Sequence, residues 1–222
     1  MSQADHSGQQ DTIHSESSDD RTELERLLRL VAHGFEGTPE KNLPRLQPFV
    51  HSFRNCRNVL DIGCGEGLML ELLRDAGTKA SGIDIDPDRV ATAHSKGLEA
   101  KTGEAHDYLR AKKGEFDGIF LRHIIEHFDG LDGLRLLHLC RKALQSSGVI
   151  IVITPNFRMP EVAEQMFWLD ITHRRPYPLP LLQHIFVTLG IDVVECGVRE
   201  REEERDLFII GQVPKDLRGY KA

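Results

Sequence analysis

From Asn58 onward the chain alternates short apolar runs with stretches of helical periodicity, and that alternation limits the fold to a narrow class. "NVLDIG", "KASGIDI", a weaker run in "GLEAKTGEA", "FDGIFL" and "GVIIVIT" read as strands. Between them, "LMLELLRDA", "DPDRVATAHSKG" and "LDGLRLLHLCRKAL" read as helices. The punctuation agrees: Gly77 closes the first helix, Asp86 caps the second with Pro87 at its first position, and Gly97 ends it. Strands joined through helices need right-handed crossovers and form a parallel sheet covered on both faces. After a long loop come a helix, "PLPLLQHIFVTLG", and two strands, "IDVVECGV" and "RDLFIIGQV". The charged turn "REREEER" between these two predicts an antiparallel terminal hairpin on an otherwise parallel seven-stranded sheet.

The 222 residues suit one such domain with an appendage. The first twenty contain one isoleucine and no other large aliphatic or aromatic residue after Met1, so residues 1–20 are expected to be a disordered tail. Residues 21–57 are expected to form a helical cap: Leu24, Leu27, Leu28 and Val31 follow an amphipathic spacing, and a second helical stretch runs from Pro39 to Phe53. The sheet domain then spans 58–215, and 216–222 form a C-terminal tail. A net charge of −7 argues against broad, non-specific nucleic-acid binding. Cys56, Cys64, Cys140 and Cys196 have no C-x-x-C spacing and suit reduced thiols. No apolar run reaches the roughly 18 residues of a membrane span, and the expected location is cytoplasmic.

The loop "VLDIGCGEG" follows the first strand, and in open α/β sheets ligands bind at the carboxyl ends of strands. A dinucleotide loop is spaced G-x-G-x-x-G and carries a pyrophosphate on the following helix. Here Gly63, Gly65 and Gly67 are spaced G-x-G-x-G, with Asp61 before them and Glu66 among them. Carboxylates repel a pyrophosphate and attract an ammonium. S-adenosylmethionine (SAM), a nucleoside with a sulfonium and an α-amino group but no phosphate, fits those charges.

The ordered series "DIGCGEG", "GIDIDP", "GEA", "FDGI", "IEHF" and "ITPN" resembles class I SAM-dependent methyltransferases over about Leu43 to Val198. The resemblance implies a Rossmann-like fold. It also implies that Asp61, Ile62, Gly63, Cys64 and Gly65 surround the methionine moiety and that Asp84 binds both ribose hydroxyls. Ile85 would pack on the adenine, with Glu104 and Ala105 beside its amino group. Leu121, Arg122 and His123 would line the pocket near the methyl group. Relatives commonly carry Arg-Gly before the second helix, the arginine meeting the methionine carboxylate; this chain has Glu36-Gly37, which leaves Lys41 or Arg45 for that task.

"HIIEH", His123 to His127, also spells H-x-x-E-H, a zinc-protease spacing. Following a strand of this scaffold, it is read instead as the family's "EHL" element, and no metal is expected. "FWLDITHRRPYPLP", Phe167 to Pro180, resembles bacterial surface-polysaccharide (O-antigen type) methyltransferases. That resemblance implies a loop over the acceptor, with Trp168, Asp170, Thr172, Arg174 and Arg175 as substrate contacts. The expected reaction is direct SN2 methyl transfer to a small or glycan-type acceptor, with His123 and His173 as candidate bases. A quinone or secondary-metabolite acceptor, or a silent SAM-fold scaffold that binds a partner, are the alternatives. An apolar acceptor pocket would point to a quinone and an arginine-lined one to an anionic glycan.

Overall fold

The computed structural model describes residues 18–35, 37–198 and 205–215. Most of the expected N-terminal tail, all of the C-terminal one, Glu36 and most of the charged turn lie outside those residues. Seven strands form one sheet in the order β3-β2-β1-β4-β5-β7-β6. β1 (Val59–Ile62), β2 (Ala80–Asp84), β3 (Ala100–Thr102), β4 (Phe116–Arg122) and β5 (Leu144–Pro155) run parallel. β7 (Asp206–Gln212) pairs antiparallel with β5 and with β6 (Asp192–Val198), so the last strand is inserted between them. The terminal hairpin expected from the sequence is therefore present, with its final strand inside the sheet.

Every residue of β1 is buried, as a central parallel strand covered on both faces requires. One face packs Leu60, Ile62, Ile119, Leu121 and Val152 against α6 (Gly130–Ala143) and α8 (Leu179–Thr188). The other packs Val59, Phe120, Ile153 and Phe208 against α2 (Pro39–Val50) and α3 (Leu68–Asp75), with Phe53 in the short 3-10 turn after α2. α4 (Pro87–Ser95) begins at the expected cap, where Asp86 Oδ1 accepts from the Asp88 amide at 2.9 Å. α5 (Ala105–Arg110) follows Glu104. Asp129 caps α6 by accepting from the Leu131 and Asp132 amides, both at 2.9 Å.

Two expectations change. Helix α1 (Ser18–His33) starts inside the expected tail, and its apolar stripe stays outside the core: Leu24, Leu27, Leu28 and Val31 are 53, 43, 40 and 46% exposed. Amphipathic spacing makes a face suitable for burial, but only a tertiary partner can bury it. The stretch before the acceptor loop is helical, with a π turn (Val162–Met166) running into α7 (Phe167–Leu169), so Phe167 and Trp168 sit on a helix. No helix among the described residues is long and apolar enough to cross a membrane.

Candidate functional site

The carboxyl ends of β1, β2 and β4 meet at the glycine loop. Side chains alternate across a strand, so Asp61 and its β4 neighbour Phe120 share the face toward α2, and Arg122 follows on that same face. Asp61 is buried; its burial, reinforced by nearby Asp84 and opposed by Arg122, pushes its carboxyl up to about 8. Asp84 accepts from the Gly65 amide at 2.7 Å and the Asp86 amide at 2.9 Å, which aims the carboxylate across the loop. Gly63 and Gly65 have φ of 72° and 52°, and a Cβ on Gly63 would lie 1.9 Å from Ile124 Cδ1. A side chain there is excluded both by conformation and by space.

The remaining loop residues divide by the direction in which they point. Cys64 turns beneath the loop, where its Sγ would stand 2.5 Å from any Cβ on Gly82, and burial pushes its thiol up. Ile62 and Leu121 are core residues, so only their backbone borders the loop. Ile85 is 57% exposed directly after Asp84, an apolar surface suited to a base. Glu104 is exposed with its carboxylate capping nothing, and Ala105 packs against the core edge. Arg122 donates from Nη2 to Asn42 Oδ1 at 2.9 Å, which ties β4 to α2. Of the two cations expected at a methionine carboxylate, Lys41 is exposed, while half-buried Arg45 acts on Asp206.

Asp206 is a site residue that the sequence reading missed. It stands in register with Pro155, and its Oδ1 lies 3.1 Å from His123 Nε2. An aspartate opening an apolar strand was a visible signal. Only the antiparallel insertion of β7 shows that this strand begins where β4 and β5 end. His123 has a φ of 54°, and its Nδ1 lies 3.9 Å from Glu126 Oε1. Burial and Arg122 oppose its charged form, but Asp206, helped by Glu126, carries its pKa above the ordinary value. Glu126 is fully buried: Thr154 Oγ1 donates to its Oε2 at 3.0 Å, and its backbone oxygen accepts from the Arg174 amide at 2.9 Å.

The acceptor-loop residues come together at the same end of the sheet. Asp170 Oδ1 accepts from the Thr172 amide at 2.8 Å, and Thr172 Oγ1 lies 2.8 Å from His127 Nδ1. His173 is nearly enclosed; its Nδ1 donates to the Phe167 carbonyl at 2.7 Å and its ring lies 4.5 Å from that of Phe167. Trp168 is exposed, with Nε1 donating to the Ala163 carbonyl at 2.9 Å. Arg174 is exposed, whereas Arg175 lies 5.0 Å above the Tyr177 ring. Tyr177 is buried and its hydroxyl donates to the Asp129 carbonyl at 2.7 Å, anchoring the loop. Beside the β5 exit is a cleft of about 280 Å³ lined chiefly by Phe157, Pro178, Leu179, Val198 and Leu207, with Asn156 and Arg158 as its polar members. A larger one, about 390 Å³, includes Ala80 at the opposite end of β2 and lies away from these residues.

A buried acid, a glycine loop without phosphate-binding spacing, an acid ending the second strand and an exposed apolar neighbour fit a cationic nucleoside and define a SAM-binding α/β fold. The chain belongs to the methyltransferase domain family, whose profile matches residues 21–196. It is similar to a SAM-dependent methyltransferase from Archaeoglobus fulgidus, at a TM-score of 0.75 and 27% identity over 82% of this chain and 98% of that one. An O-methyltransferase family protein from Burkholderia thailandensis shares the fold, at a TM-score of 0.63 and 16% identity over 79% of this chain and 58% of that one. Among curated relatives, "Ubiquinone biosynthesis O-methyltransferase" from Xanthomonas campestris is 27% identical over 61% of this chain and 62% of its own length. The relative of the same name from Hydrogenovibrio crunogenus is 28% identical over 70% and 66%. The chain thus spans less than two thirds of the length of these relatives. It carries a methyltransferase domain of the SAM-dependent type. The surface-polysaccharide affinity expected from the loop is not shown by these comparisons.

Proposed function

We propose that the chain O-methylates a small aromatic hydroxyl compound held in the cleft beside the β5 exit. The apolar lining of that cleft carries this reading, because Phe157, Leu179, Val198 and Leu207 suit a ring better than a bare sugar. The names of the curated relatives agree with it. A glycan-type acceptor rests on Arg174 and Arg158, since Arg175 is occupied by the Tyr177 ring.

Bound SAM supplies a methyl group on an electrophilic sulfonium. Asp61 would face its ammonium, Asp84 its ribose hydroxyls, and Ile85 and Glu104 its adenine. The protein's main task is then alignment, which can contribute about 7–11 kcal/mol of barrier reduction. His123 Nε2 is held by Asp206, and Nδ1 is the nitrogen that exchanges a proton with the acceptor hydroxyl. Its raised pKa keeps the base protonated until the pH passes that value, so kcat/KM should climb with pH above 6.5. His173, nearly enclosed and with Nδ1 committed to a carbonyl, orders the loop.

The test is a methyl-transfer screen of the purified chain over phenolic, sugar-nucleotide and phosphorylated-glycan acceptors. Phenolic turnover whose KM rises at least tenfold in Leu207→Arg, with S-adenosylhomocysteine affinity kept, is the expected result. Turnover confined to glycans would refute the reading.

A further inference from the structure

We propose that His127, Asp170 and His173 form a binding site for a divalent transition-metal ion of the zinc type, which clamps the acceptor-side loop to the turn after β4. One donor atom from each lies within 4.8 Å of the others. The hydrogen bonds around the two imidazoles fix which nitrogens those are. His127 Nε2 meets the His123 carbonyl at 3.1 Å, and His173 Nδ1 meets the Phe167 carbonyl at 2.7 Å. A carbonyl only accepts, so both of those nitrogens carry hydrogen. In the neutral rings, His127 Nδ1 and His173 Nε2 therefore present lone pairs, and both face Asp170.

His173 Nε2 is 3.6 Å from Asp170 Oδ2. On the other side, Thr172 Oγ1 sits 2.8 Å from His127 Nδ1 and 2.5 Å from Asp170 Oδ1. One hydroxyl proton cannot satisfy both neighbours. Two lone pairs and a carboxylate thus converge on one space. Imidazoles whose far N–H is tied to a main-chain carbonyl are the usual second layer of a metal site. Two nitrogens and one carboxylate oxygen, with the Thr172 hydroxyl or a water as fourth ligand, make a zinc-type set.

Ligands about 2.0 Å from a tetrahedral ion lie about 3.3 Å apart, so the widest separation in the set, 4.8 Å at most, must contract by up to about 1.5 Å. His123 is not a member: its Nε2 faces Asp206. The H-x-x-E-H spacing therefore contributes only His127, joined to residues far along the chain.

The competing arrangement is a proton in place of the metal, with His127 as an imidazolium donating to Thr172. Chelator-stripped full-length protein would be titrated with Zn²⁺ by calorimetry and with Co²⁺ by visible absorption. Trp168, the single tryptophan, reports on the loop by fluorescence. The expected result is one equivalent bound per chain, a tetrahedral N/O cobalt spectrum and a higher melting temperature with metal. Asp170→Asn and His173→Gln should weaken binding at least 100-fold, while His123→Gln keeps it. Circular dichroism shows whether each variant folds, and the wild-type cobalt spectrum needs no variant. No saturable metal binding by the wild type, or equal loss in His123→Gln, would overturn the site in favour of the proton.

Discussion

Replacing Asp206 by asparagine removes the carboxylate on which His123 depends while keeping the side chain's size. Burial alone would raise the Asp206 pKa; His123, followed by Arg122 and Arg45, instead carries it from 3.8 down to about 2. At about 1.4 kcal/mol per unit, that difference amounts to roughly 2–3 kcal/mol favouring the charged form in the folded protein. For a chain of this size, its loss corresponds to a fall in melting temperature of about 5–10 °C. The pH window follows from the two directions. Asp206, with its pKa depressed, contributes above 3.8 and loses its contribution as pH falls toward 2. His123, with its pKa raised, contributes fully below 6.5 and loses its contribution as pH rises through the folded value. The stability difference between wild type and Asp206→Asn should thus be largest between about pH 4 and 6.5 and shrink on either side. In the variant, burial and Arg122 act on His123 with only Glu126 opposing them, so its titration should move below 6.5. Thermal melts from pH 4 to 9 and an NMR titration of the His123 ring read both effects. An unchanged His123 titration, or a stability difference that is flat with pH, would refute the ion-pair argument.

Asp84→Asn should weaken S-adenosylhomocysteine binding by about 1.5–3 kcal/mol, as expected for hydrogen bonds to a charged group; calorimetry on the folded variant showing unchanged affinity would misplace the ribose. An ammonium beside Asp61 should deprotonate a carboxyl poised near 8, so cofactor binding at pH 7 should release a proton that Asp61→Asn does not release. Calorimetry in two buffers of different ionisation enthalpy measures that proton directly. Gly63→Ala should cost about 1–2 kcal/mol for its left-handed backbone and more for the contact with Ile124; adding Ile124→Ala should restore only the second part of the lost stability.

The sheet and the meeting of Asp61, Asp84 and the glycine loop at its carboxyl edge were legible in the sequence because both are local. Period-2 and period-3.6 patterns, the Asp86-Pro87 cap and the glycine spacing act over a few residues, and parallel strands must present their carboxyl ends together. Asp61 and Asp84 could therefore be placed from the chain alone. The acceptor end was not legible in the same way. His123 is expected to face it from its place after β4, but its partner Asp206 reaches it only because β7 enters the sheet antiparallel beside β5. His173 read as a candidate base, yet packing against Phe167 and His127 encloses it. His127, Asp170 and His173 meet because the Glu126 carbonyl and the buried Tyr177 pin the loop across the sheet's edge. Sequence determined which chemistry each segment could carry; long-range pairing decided which charges share a low-dielectric space, where proximity and burial set protonation.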